Sequence, residues 1–205
     1  MGSKMFARRK DPKKEFWRWL ERHRRDILRE IEGTSAFRTH VWSIDELGRR
    51  LHDIDHHLGH EIGMADPSTI ELIVSADGVK SAFPAVIELV ASAPPLKGFK
   101  VTAFKPRCPD GMTLHASGQV VTDDLLSYRL ISTDDDLGIE VFIDCDLDQE
   151  TLTKVGFLSL DQRLGEYDVA TGLTWIEFAL GRPLDAAPIT HLAQDFDGRR
   201  GQTTH

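Results

Sequence analysis

Cysteine is scarce in this chain: Cys108 and Cys145 are the only two among 205 residues. Two thiols make neither a disulfide framework nor a zinc cluster, and they point to a reducing, cytoplasmic setting. Long apolar runs are missing too. No stretch approaches the ~18 residues that a membrane helix needs. The leading "MGSKMFARRKDPKK" has no apolar core of the secretory kind. It also places Phe6 where N-myristoylation wants Ser or Thr. The sequence holds no G-x-S-x-G, P-loop, G-x-G-x-x-G or C-x-x-C motif. The expectation is therefore a soluble protein with no cofactor and no membrane partner.

What is present describes an ordinary globular chain, 40% hydrophobic and 28% charged. Its length suits one α+β domain over residues 12–197, between a basic tail at 1–11 and a polar tail at 198–205. The net charge of −8 hides an asymmetry. Residues 1–30 carry eleven Lys/Arg against five Asp/Glu, which leaves −14 on the remainder. A basic helical arm (12–33) thus precedes an acidic body, and the body as a whole suits nucleic acid poorly.

Periodicity divides the rest. Phe16, Trp19, Leu20, His23, Ile27 and Ile31 share one helical face, and Gly33 ends it. Ser43 and Glu46 form an S-x-x-E capping box, with Trp42 stapled onto Leu47. That second helix is expected to end near Asp55 or His56. The period then changes to 2, which predicts a hairpin of 57–63 with 69–76 around the "ADPS" turn. Ser81 caps a helix with Phe83, Val86, Ile87, Val90 and Ala91 on its apolar face, and a strand follows over 99–105. Residues 108–125 read as a loop with one or two short strands. "YRLIS" and "GIEVFID" read as a second hairpin, then come a helix over about 148–164, a strand over 172–180 and a short helix at 188–196. No internal repeat is evident. The order predicts a mixed, largely antiparallel sheet with helices on one face, a ferredoxin-like split β-α-β core with two extra N-terminal helices.

Four places carry candidate chemistry. "DIDHHLGHEIG" (53–63) holds His56 and His60 four apart, with Glu61 next to them. On a helix the two imidazoles would share a face, as zinc ligands do. The strand period after His57 argues against that, so His60 is expected to face inward with no metal bound. "DCDLDQE" (144–150) resembles a calcium loop but has Gln149 where Gly is wanted and Val155 where the bidentate Glu is wanted. Asp146 or Asp148 reads better as a helix cap. "GEYD" puts Glu166 and Asp168 together after a helix, as acid–base candidates or as turn residues. Arg18, Arg22, Arg25 and Arg29 line one side of the first helix, as a binding stripe or as a solvated face paired with Glu21 and Asp26.

As a set, "EFWRWLERH", "ELIVSADGVKSAFPAVIELVASAPPLKGFKVTAFKPR", "LGIEVFID" and "LSLDQRLGEYDV" resemble an uncharacterised bacterial family of soluble α+β proteins. The resemblance runs over roughly residues 15–197. It is most specific at A-D-G-x-x-x-A-F-P-x-V (76–86) and L-G-E-Y-D-V (164–169). It implies a shared fold and no assigned activity, and its pattern does not require His56, His57 or His60. The resulting expectation is a non-catalytic binding or regulatory module acting on a protein partner, in one version an inhibitor or immunity-type protein, or self-associating through the arm. The alternatives are a hydrolase using carboxylates or a His/Asp/Glu site, and nucleic-acid contact by the basic helix.

Overall fold

The apolar periods become six α-helices and three sheets among the described residues of the computed structural model, which are 11–33, 42–108, 110–133 and 136–200. The class is α+β, and most strand pairs are antiparallel. Where the length predicts one domain, contacts gather the chain into two units, Met1–Ala103 and Phe104–His205.

The first unit opens with α1 (Pro12–Gly33), which buries Phe16, Trp17, Trp19, Leu20 and Ile27. Trp17 lies off the expected stripe and is held by its indole N–H, which donates to Ser92 Oγ at 3.1 Å. Helix α2 (Trp42–His52) buries Leu47 and Leu51 but stops short of Asp55. Its expected capping box is not used. The Glu30 carboxylate of α1 accepts instead from the backbone N–H groups of Ser43 at 3.0 Å and Ile44 at 3.2 Å. Glu46 turns to Arg49 and Arg50. Trp42 points outward near His23 in place of stapling onto Leu47.

A turn through 53–57 leads into β1 (Gly59–Asp66), which pairs antiparallel with β2 (Thr69–Ser75). His60 lies opposite Val74 and Ile62 opposite Leu72, as the period requires. Leu58, Ile70, Leu72 and Val74 are fully buried. A 3-10 turn precedes α3 (Phe83–Ala91), which buries Leu89 and leaves Ile87 out, a small rotation from the expected face. The chain returns as β3 (Phe99–Ala103), parallel to β2.

The second unit starts with the small hairpin β4 (Thr113–Ala116) and β5 (Gln119–Thr122). The larger hairpin β6 (Leu126–Ser132) and β7 (Leu137–Ile143) follows. Then come α4 (Gln149–Leu164), α5 (Glu166–Gly172) and β8 (Trp175–Leu180), with β8 parallel to β7. The bridge β9 (Ala187–Pro188) joins β6, and α6 (Leu192–Arg200) ends the described chain. Asp148 caps α4 as expected, accepting from Thr151 N–H at 2.9 Å, which accounts for the acidic run without calcium. Tyr128, Ile139, Val141, Leu160 and Phe196 are among the side chains that fill this unit's core.

The parallel strands are direct neighbours in both units, with no strand between them as a split β-α-β would have. Both units instead build a hairpin, cross over by helix, and lay the third strand beside the second. This topology recurs although no repeat is visible in the sequence.

Candidate functional site

The histidine-rich stretch does not form an i,i+4 pair. Helix α2 ends at His52, so His56 falls on the turn while His60 sits on β1. There His60 is half-buried, and a Cβ added at Gly48 of α2 would meet its ring at 3.2 Å. Burial lowers its pKa, His52 adds to that, and Asp45 opposes it. Glu61, the next residue, is exposed on the opposite side of the strand. The turn itself gathers a different set. Asp55 Oδ1 accepts the His57 backbone N–H at 2.9 Å and lies 3.2 Å from His57 Nδ1. His56 Nδ1 is 3.8 Å from the same oxygen, and the two imidazole rings are 3.8 Å apart. The His57 N–H is the main cause that holds the Asp55 carboxyl below its ordinary range.

Glu166 and Asp168 are adjacent in sequence and separate in role. Glu166 is fully buried at the start of α5. Its Oε2 accepts from Lys105 N–H at 3.1 Å, and its own N–H donates to Lys105 O at 3.0 Å. This reciprocal clamp ties α5 to the segment after Ala103. Asp168 meets Arg107 at 2.6 Å through one oxygen and Arg200 at 2.5 Å through the other. Arg107 also takes both oxygens of Asp197 and the Leu164 carbonyl. Asp197 is held below its ordinary pKa, chiefly by its hydrogen bond from Arg107. Both carboxylates are therefore engaged by backbone or guanidinium groups. The arginines were not legible as partners, because 61 residues separate Arg107 from Asp168.

The arginine stripe keeps to solvent. Arg18 pairs with Glu15 at 3.2 Å and Arg29 with Asp26 at 3.1 Å, both at i,i+3 spacing. Arg22 Nε donates to the Arg18 carbonyl at 3.1 Å, and Arg25 is exposed. The expected Arg22–Asp26 pair is displaced by Arg29. Arg24, off the stripe, reaches inward instead: its Nη2 donates to Ser68 O at 2.9 Å. Its guanidinium lies against Gly98 (φ +76°), where an added Cβ would come within 2.3 Å. Together with Glu21, Thr69, Lys97 and Phe99 it lines a cleft of about 600 Å³.

Several exposed apolar side chains belong to the second unit. Strand β8 ends the order β8-β7-β6-β9, so one of its sides carries no strand among the described residues. Phe178 packs over Gly156 of α4 and meets Phe157 edge-on with centroids 4.9 Å apart. Phe157, Leu158 and Leu180 stay 44%, 46% and 47% exposed. The sequence signal for this band was the pair Phe157-Leu158, where the helical period of α4 wants polar residues, and the near-continuous apolar run "WIEFAL". No described helix is long and apolar enough to cross a membrane. Comparison with protein-family models, with curated proteins and with solved structures found no match.

Proposed function

We propose that the protein is a non-catalytic binding module that takes a protein partner as an added strand along β8. The observation that carries this reading is the side of β8 that no described strand covers, with Leu180 exposed on the strand and the exposed Phe157 against Phe178. An edge strand offers a row of backbone N–H and C=O groups, and an extended segment can pair with them while its alternate side chains enter an apolar border. Ordinary edges are guarded by charge. Glu177 is the sole charged residue of β8. Exposed aromatic and leucine side chains grouped at such an edge mark an interaction surface. The partner this edge fits is an extended polypeptide with apolar side chains at every second position. The engagement of Glu166 and Asp168 by Lys105, Arg107 and Arg200 favours a structural role for those carboxylates over acid–base chemistry.

The test is site-specific capture followed by reconstitution. A photoreactive phenylalanine analogue at position 157 or 180 is expected to crosslink a discrete protein in cells, and the same analogue at Lys154 is not. The purified partner should then bind the wild-type chain and lose at least tenfold in affinity with Phe157→Glu or Leu180→Glu. Equal labelling from position 154, or unchanged affinity in both variants, rejects the proposal. Crosslinking to a second copy of the chain would instead identify self-association through the same edge.

A further inference from the structure

The turn after α2 places three metal-binding donors of two residue types around one point. Asp55, His56 and His57 each offer one ligand atom, and all three atoms lie within 4.8 Å of one another. Two of the separations are 3.2 Å and 3.8 Å, from Asp55 Oδ1 to His57 Nδ1 and to His56 Nδ1. Zinc–nitrogen and zinc–oxygen bonds of about 2.0–2.1 Å put neighbouring ligands of a tetrahedral site roughly 3.3 Å apart. One separation already matches that spacing and a second is about half an ångström longer, and all three atoms lie within 4.8 Å, so rotation of the exposed His56 side chain is what closes the set around an ion.

We propose that Asp55, His56 and His57 form a surface site for a divalent first-row transition ion, with zinc(II) as the type case. Two imidazoles and one carboxylate suit zinc, copper, nickel or iron, whereas calcium and magnesium want oxygen ligands alone. Three protein donors leave a coordination position for water or for a donor from another molecule. His56 stands 80% exposed at its side chain, so that position faces solvent. The Asp55 carboxylate is oriented by the His57 backbone N–H, which donates to it at 2.9 Å. His60 is not part of the set: it faces Gly48 from the strand. The proposal is independent of the β8 reading and uses residues of the other unit.

The experiment uses untagged full-length protein and zinc chloride in equilibrium dialysis, with bound zinc counted per chain. About one zinc per chain is expected at a total concentration of 100 μM. His56→Ala and His57→Ala should each weaken binding at least tenfold, and His60→Ala should leave it unchanged. Both ligand positions are at the surface, so circular dichroism should report intact folding in each variant. Binding should weaken in acid, because each ligand must be deprotonated to hold the ion. Less than a tenth of an equivalent bound would overturn the proposal. So would stoichiometric zinc that survives the His56→Ala/His57→Ala double variant, since the ion would then sit elsewhere.

Discussion

Replacing Glu166 separates a fold anchor from a catalytic acid by the sign of the stability change. The carboxylate is fully buried and accepts from Lys105 N–H at 3.1 Å, while the Glu166 N–H donates to Lys105 O. Glu166→Ala removes the acceptor and strands a part-buried amide, which costs about 1–3 kcal/mol. The lost side-chain volume adds to that. For a unit of about 100 residues each kcal/mol lowers Tm by roughly 4–8 °C. A drop on the order of 5–15 °C is expected. Glu166→Gln keeps a carbonyl acceptor for Lys105 and should lose less than the alanine variant. A strained active-site residue behaves oppositely, because removing it leaves stability unchanged or raises it. Urea titration is the assay, read by fluorescence and by far-ultraviolet circular dichroism. Trp175 is the sole tryptophan of the second unit, while Trp17, Trp19 and Trp42 belong to the first. A Glu166→Ala chain as stable as the wild type would refute the anchor and return Glu166 to the list of chemical candidates.

Further substitutions test the packing and the charges. Gly138→Ala should destabilise by about 1–3 kcal/mol, because the added Cβ would fall within 1.8 Å of the Trp175 ring; unchanged urea midpoints would contradict that close approach. Leu72→Ala should cost about 2–5 kcal/mol through the cavity it leaves, and a silent result would deny the burial on β2. His60 has a folded pKa below its ordinary 6.5, so the unfolded chain takes the proton first. Stability should hold above pH 6.5 and fall as pH drops below it, and His60→Gln should remove that slope from a pH series of thermal melts. Removing the charges of Arg18 and Arg29 should shift stability by only ~0.3–0.5 kcal/mol each, since both pairs are exposed i,i+3 contacts; a larger loss would show that the stripe carries more than a solvated face.

Local chemistry was legible and distant chemistry was not. Strand alternation marked the 59–75 hairpin and which of its residues share a face, because one side of it is buried. Asp148 announced the start of α4, and Gly165 its end, because those effects act within one turn. The start of α2 was misread for the complementary reason. Its Ser43–Glu46 spacing is a sound local signal, but Glu30 arrives from 13 residues away and takes the same N–H groups. Helix α5 was hidden altogether. Its seven residues carry too few apolar positions to show a period, and the clamp that holds it comes from Lys105. The metal candidate is the exception to that divide. The stretch was conspicuous as composition, yet the converging donors are consecutive residues on a turn, and turn geometry is not written in helical spacing.

The recurring topology sharpens the reading of β8, since β3 holds the equivalent place in the first unit. Each is the third strand of its hairpin-plus-crossover, and each ends its sheet order next to a parallel partner. Their surfaces differ. On β3 Lys100, its second residue, is exposed and pairs with Glu71 across the ladder at 2.6 Å, and Pro106 follows shortly after the strand. Charge on the edge and proline beyond it are the usual devices that keep a strand from pairing further. Strand β8 has the same two devices, the exposed Glu177 and Pro183 after its end, yet it also carries Phe178, which meets Phe157 of α4, and the exposed Leu180. Covering what is left exposed of Phe157 and Leu180 would add roughly half of the 1.5–3 kcal/mol that full burial of such a side chain gives. The same backbone plan thus carries a charge and a nearby proline at both end strands, with exposed apolar side chains added at β8. On the proposal made above, that added apolar surface is what a strand-shaped partner would cover.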